Sequence, residues 1–365
     1  MQMLTAEETG RAAARLTAEI KKLAGGRTIR IMEVCGTHTV AIFRHGIRQL
    51  LGDAVELISG PGCPVCVTPA NYIDAALACA KQPGVILTSY GDLLRVPGSR
   101  ESLAEAKAQG ADVRVVVSPL DALAIARQEP QRKVVFLAVG FETTAPTAAA
   151  ALLSARQAGV ENFLLLSAHK TVPPALRSLL TQGACLDGLL LPGHVSAVIG
   201  LAPYRFLVDE FALPSVVAGF EALDILTAIR ALARQIAAGR AELENQYRRV
   251  VLPQGNPQAM KILLDVYQPV DVEWRGLGLL KESGLVLRPA YQVYDASLVL
   301  QLKTQPAVEP KGCCCGLVLQ GRMQPAQCPL FARECTPLKP VGACMVSREG
   351  ACSAWYNYGK RGEGA

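Results

Sequence analysis

Residues Lys133 to Ala168 read KVVFLAVGFETTAPTAAAALLSARQAGVENFLLLSA. Lys133 to Val139 and Asn162 to Ala168 are short apolar runs rich in strand-forming residues, and an alanine-rich stretch of helical character separates them. A connection of that length between two strands implies a right-handed crossover and a parallel sheet. Working outward, the same rhythm recurs upstream in Arg30 to Val34, Val55 to Ile58, Gly84 to Thr88 and Val113 to Val117. Downstream it recurs in Gly188 to Leu191 and Ser215 to Ala218. A break at Glu129-Pro130 divides the series, so the sequence predicts an α/β fold of two tandem parallel-sheet domains, at 30–131 and 132–225. The second carries a small internal echo, Gly140-Phe141-Glu142 after its first strand and Gly219-Phe220-Glu221 after its last.

At the N-terminus, Thr5 and Glu8 have the form of a capping box for a helix reaching about Leu23. Glu221 to about Val250 is strongly helical, and the remainder is loop-rich, with many prolines. Residues 1–29 and 226–365 are therefore expected to form a third, mainly helical and Cys-rich domain.

The chain has 365 residues, 50% hydrophobic and 19% charged, enough to bury a sizeable core. The N-terminal MQMLTAEETG lacks a basic patch followed by an apolar run, and Pro192, Gly193 and His194 interrupt the hydrophobic stretch Leu189 to Leu201. Neither a signal peptide nor a membrane span is expected. Twelve cysteines in a chain without export signals point to metal binding or catalysis in a reducing, cytoplasmic setting. The net charge of +6 is scattered and aromatics make up 5%, which does not suggest a nucleic-acid surface. No phosphate-binding loop or dinucleotide fingerprint is present, so no nucleotide is expected.

In parallel sheets, ligands bind beyond the carboxyl ends of the strands. Those positions hold Cys35-Gly36-Thr37-His38-Thr39, Gly60-Pro61-Gly62-Cys63-Pro64-Val65-Cys66, Gly140-Phe141-Glu142-Thr143-Thr144, His169-Lys170 and Pro192-Gly193-His194. If the two domains face each other, all of these loops converge on one cleft. Cys35 is expected at a helix start with His38 returning towards it, an environment that lowers a thiol's pKa. Cys63 and Cys66 form a C-x-x-C suited to a reversible disulfide. Glu142, Thr143 and Thr144 are placed to cap a helix or to orient a ligand. His169 and His194 are candidate ligands or proton carriers, and Cys79 and Cys185 read as core.

Seven cysteines lie in the last fifty-odd residues: Cys313, Cys314, Cys315, Cys328, Cys335, Cys344 and Cys352. Adjacent cysteines rarely chelate one metal. A four-thiolate set from separated loops, Cys313, Cys328, Cys335 and Cys352, would leave Cys315 and Cys344 as a second pair. Four thiolates suit an iron–sulfur cluster or zinc, and spacing does not choose between them.

The motifs Cys35 to Thr39, Gly60 to Val67, Gly140 to Pro146, and the tail segments Cys328-Pro329-Leu330-Phe331 and Gly342 to Ser347 together resemble the HypD family, which matures nickel–iron hydrogenases. The resemblance runs along nearly the whole chain. It implies two α/β domains facing a cleft and a third domain holding a [4Fe–4S] cluster on Cys313, Cys328, Cys335 and Cys352. It further implies Cys315 with Cys344 as a nearby redox pair, Cys63 and Cys66 cycling between dithiol and disulfide, and Cys35 as a thiolate on the iron of a transient Fe(CN)2CO unit. The partners implied are the small chaperone HypC and the cyanide donor HypE. Cys314 stands where a variable, often charged residue is expected. On this reading His38 manages protons beside Cys35, and Glu142, Thr143 and Thr144 orient the iron's ligands or a partner's tail. Two other classes remain open at this level, a general iron–sulfur protein disulfide oxidoreductase and a zinc-stabilised interaction protein.

Overall fold

The computed structural model describes residues 5–303 and 310–359. Eleven strands are formed among the described residues, and nine of them are parallel. They are β1 (Ile29–Glu33), β2 (Val55–Ser59), β3 (Val85–Ser89), β4 (Val113–Val115), β5 (Lys133–Ala138), β6 (Phe163–Ser167), β7 (Gly188–Pro192), β8 (Ser215–Ala218) and β9 (Leu243–Asn245), followed by β10 (Tyr267–Trp274) and β11 (Gly278–Leu287). A five-stranded parallel sheet has the order β2-β1-β7-β8-β9, a four-stranded one the order β4-β3-β5-β6, and β10 pairs antiparallel with β11.

The fold class is as expected, two parallel-sheet α/β units with a helical, loop-rich, cysteine-bearing tail. The allotment of strands differs. The chain starts the five-stranded sheet with β1 and β2, leaves to build the whole four-stranded sheet, and returns with β7, whose Gly188–Leu190 pairs with Ile31–Glu33. The expected division after residue 131 thus falls inside the four-stranded sheet, because β3 pairs with β5 as well as with β4. Strand order along the chain reports each strand's existence; hydrogen-bond partners are chosen by which apolar faces meet.

Two further elements depart from the sequence reading. The helix Ala222–Ala237 ends well before Val250, and the chain then adds β9 to the five-stranded sheet. The N-terminal helix Ala6–Ala24, whose capping box on Thr5 and Glu8 is present, buries Ile20 and Ala24. It does so with Ile225, Ile229 and Leu232 over the outer face of the five-stranded sheet, not with the tail. Its apolar residues recur at helical spacing, so one stripe faces the sheet while the charged face stays in water.

The antiparallel hairpin lies in the stretch read as loop. Its inward residues Tyr267 and Trp274 are buried while alternate residues of β10 stay open. It covers the end of the four-stranded sheet, with Lys170 bridged to Gly284. No helix among the described residues is long and apolar enough to cross a membrane.

Candidate functional site

The carboxyl ends of both sheets open on a shared cavity of about 450 Å³. Thr37, Gly62 and His194 line it from the five-stranded side, Asp92, Gly140 and Thr143 from the four-stranded side, and Ser347 and Glu349 of the tail close it. The Cys35, Cys63 and Gly140 loops therefore meet as expected. His169 and Lys170 do not line that cavity, although the Lys170 N–H donates to the Gly140 carbonyl at 2.9 Å. Both are buried beneath the hairpin, His169 edge-on to Tyr267 and Lys170 with Nζ donating to the Glu273 carbonyl at 2.7 Å.

Cys35 ends the turn after β1 and is the N-cap of the helix Gly36–Arg44. Its thiol is buried, and burial pushes it up to about 12, aided by the nearby carboxylates Glu349 and Glu33; the His38 backbone N–H opposes this less strongly. The expectation of a depressed thiol is corrected here, because desolvation of the thiolate outweighs the helix-terminal N–H groups. The residue beside the sulfur is also different. His194 places Nδ1 at 3.8 Å and Nε2 at 4.0 Å from Cys35 Sγ. His38 faces away, with Nε2 donating to the Gly219 carbonyl at 2.8 Å, and burial lowers its pKa to about 4. His194 is likewise lowered to about 4 by burial, so both imidazoles are neutral at pH 7.

Glu33, at the last position of β1, holds the loop from beneath. It accepts from Thr39 Oγ1 at 2.6 Å and from the Cys35 N–H at 3.3 Å, and burial raises its pKa to about 7. From above, the tail reaches in: Thr37 Oγ1 donates to Glu349 Oε1 at 2.7 Å, and Ser347 Oγ donates to Asp92 Oδ2 at 2.9 Å. Glu33, Asp92 and Glu349 were not singled out from sequence. Glu33 sits two residues from Cys35 and could have been; Glu349 is 312 residues from its partner, and nothing local marks it.

Cys63 and Cys66 form a disulfide across the short helix Pro64–Val67, where Cys63 is the N-cap. Both are buried. The loop before them lies directly on Cys35: the Gly36 N–H donates to the Gly62 carbonyl at 3.1 Å, and a Cβ on Gly62 would overlap the Cys35 backbone. Only glycine permits that approach. On its other side, Cys66 Sγ lies 4.0 Å from the carbonyl of Ala343, one residue before Cys344.

Glu142 is buried, with Oε1 accepting the Val172 N–H at 2.9 Å and Oε2 unpartnered, and burial raises its pKa to about 7. Its carboxylate thus caps not the helix that follows it, Ala145–Gln157, whose N-cap Thr144 makes no side-chain cap bond, but the next one, Val172–Thr181, while Thr143 and Thr144 line the cavity.

In the tail, Cys313, Cys314, Cys315, Cys328, Cys335 and Cys352 line one nearly closed space, walled otherwise by the apolar Val318, Leu330, Phe331 and Met345. Cys344 is fully buried beside it, its thiol hydrogen-bonded with those of Cys315 and Cys352. Donation from Cys315 and Cys344 lowers Cys352 to about 6. Cys314 and Cys328 make a separate contact nearer the surface. The donor chemistry, several thiols in an apolar shell, fits a soft metal centre. The thiols pack against one another, leaving about 10 Å³, and among the described residues no group of three or more His, Cys, Asp or Glu converges as ligands to a single ion. Holding a larger centre requires the side chains to swing apart. Cys79 is core as expected, whereas Cys185 is exposed, a correction: its loop precedes β7 at the rim of the sheet.

A family model described as "HypD: Hydrogenase formation hypA family" matches residues 11–359. A protein of Escherichia coli (strain K12) named hydrogenase maturation factor HypD is 50% identical over 334 residues, covering 91% of this chain and 90% of its own. One of the same name from Rhodobacter capsulatus is 47% identical over 356 residues, covering 94% of each. Another, from Cupriavidus necator, is 44% identical over 361 residues, covering 96% of this chain and 95% of its own.

Proposed function

This chain belongs to the HypD family of hydrogenase maturation factors, and on that premise we propose that it acts in the cytoplasm as scaffold and thiol-redox catalyst. With HypC and HypE it assembles the Fe(CN)2CO unit of nickel–iron hydrogenases. The observation that carries this reading is the position of the Cys63–Cys66 loop, which touches Cys35 on one side and the cysteine-rich tail on the other.

Cys35 holds the incoming iron. Its thiol, held near 12, stays protonated at neutral pH until a cation displaces the proton; the His194 ring, 3.8 Å away and lowered to about 4 by burial, can relay that proton but does not keep it. Low-spin iron bearing strong-field ligands suits such a soft donor. Thr143 and Thr144 face the same cavity and offer hydroxyls to the iron's ligands or to a partner's tail. The buried His38 ties the helix of Cys35 to the loop after β8, a positioning role in place of proton transfer at the sulfur.

Cys313, Cys328, Cys335 and Cys352 are the residues that would hold a [4Fe–4S] cluster, which supplies single electrons when bound. Cys315 and Cys344 form the adjacent dithiol. As a thiolate attacks the Cys63–Cys66 disulfide and the second thiol closes the new bond, Cys315–Cys344 becomes the disulfide. Cys63 and Cys66 then receive two electrons and two protons. The small separation between Cys66 and the segment carrying Cys344 supports this exchange.

The test is infrared spectroscopy in the cyanide and carbonyl stretching region on the anaerobically purified complex with HypC, together with an iron and zinc assay. Bands from both ligands are expected, and Cys35→Ala should abolish them. Bands retained in that variant remove Cys35 from the iron. Absence of bands in the wild type, with dithiol turnover intact, favours a general disulfide oxidoreductase, and zinc without iron defeats both readings.

A further inference from the structure

A second polar cavity, of about 220 Å³, lies away from the cleft between the outer edge of β2 and the tail segment Gly321–Gln327. β2 is the outermost strand of its sheet. Gly60 donates to the Glu33 carbonyl on the β1 side, whereas the Leu57 carbonyl receives Arg48 Nη1 at 2.6 Å from the opposite side. By strand alternation, the backbone N–H groups of Leu57 and Ser59 turn to that free edge, and both residues line the cavity.

Three guanidinium groups face the same space, those of Arg30, Arg48 and Arg322, against the single carboxylate of Glu56. Glu56 is taken by Arg30 at 3.0 Å. Among the described residues, Arg48 and Arg322 have only carbonyl acceptors, Leu57 and Gln182, and no carboxylate within ion-pair distance. Arg48 is held in one orientation by the rings of Phe43 and Trp355, 4.8 and 5.3 Å from its guanidinium carbon. Arg48 feels the carboxylates of Glu33 and Glu56 at longer range, Glu56 being already paired with Arg30, whereas Arg322 has only its carbonyl partner among the described residues. Two guanidinium forks, the first held in place by aromatic rings, beside strand-edge N–H groups in a concave site are donors matched to a planar or tetrahedral oxyanion.

We propose that this cavity is a binding site for a small oxyanion, a carboxylate or phosphate group, held by Arg48 and Arg322 at the free edge of β2. The site does not depend on the maturation reading. It is tested on the full chain by calorimetric titration with inorganic phosphate and, separately, with acetate, at ionic strength held constant with potassium chloride. Saturable binding of one of them is expected, phosphate alone assigning a phosphate group and acetate alone a carboxylate. Arg322→Gln, at an exposed position, should weaken it about tenfold or more. Arg48→Gln should do the same, and should it fail to fold, Arg322→Gln decides. Arg11→Gln, on the exposed N-terminal helix, should leave the affinity unchanged. No saturable binding of either anion, an affinity unmoved by Arg322→Gln, or an equal loss in Arg11→Gln overturns the proposal.

Discussion

The tripeptide Gly-Phe-Glu follows β5 as Gly140-Phe141-Glu142 and follows β8 as Gly219-Phe220-Glu221, yet the two copies do opposite things. Phe141 is buried and stacks on Trp274 of the hairpin, with ring centroids 5.9 Å apart. Phe220 is half-buried between two imidazoles, His38 at 4.8 Å and His194 at 5.2 Å. Glu142 is sealed in and holds a proton near neutrality; Glu221 is exposed and caps the helix Ala222–Ala237. The hairpin β10–β11 accounts for the difference. It lies over the first loop and excludes water, so the same carboxylate that is a surface cap in one place becomes a buried titrating group in the other.

The sharpest test of that contrast is the aromatic pair. Phe141→Ala should cost about 3–5 kcal/mol of stability in urea unfolding, as full-sized core truncations do. Phe220→Ala should cost well under that, and equal losses would break the contrast. Next in size is Glu142→Ala, which strands the buried Val172 N–H and should cost about 1–3 kcal/mol.

Glu142→Gln keeps the acceptor and isolates the charge. A carboxyl raised from 4.5 to about 7 on folding contributes stability that is fully present below about 4.5 and lost as pH rises through about 7. Unfolding midpoints at pH 5 and pH 8 should therefore lie closer together in Glu142→Gln than in the wild type; an unchanged spread would place the titration elsewhere. His38 gives the opposite sign. Its folded pKa near 4 lies below the ordinary 6.5, so its contribution is present above about 6.5 and lost as pH falls through about 4. In His38→Gln the acid limb of the stability profile should flatten. The smallest effect is expected from Glu221→Ala, about 0.5–1 kcal/mol for loss of an exposed cap.

The echo itself was visible in the sequence; its divergence was not, because the covering hairpin sits in a stretch whose prolines and charges read as loop. Most strands were legible to within a residue or two, since each is a continuous apolar run with a clear end, and Ser215–Ala218 matched at both bounds. Glycine and proline likewise marked the helix start at Cys63. Side-chain direction was not legible. His38 and His194 both follow strands, and which one lies beside Cys35 is settled by the Gly219 carbonyl, which captures His38 from 181 residues away. The thiol's raised pKa follows from the same burial, a property of the assembled cleft and not of the Cys-Gly-Thr-His motif.

The interleaving of the two sheets has a consequence during synthesis. Arg30 and Asp187, joined by a hydrogen bond where β7 enters beside β1, are 157 residues apart. At the usual ribosomal pace of about 5–20 residues per second, β1 and β2 wait roughly 8–30 s for their neighbour. In that interval the inner edge of β1 is an open template. The four-stranded sheet, continuous in the chain from β3 to β6, can close first, so the nascent protein passes through a stage in which one sheet is complete and the strand leading into Cys35 is still unpaired on one side.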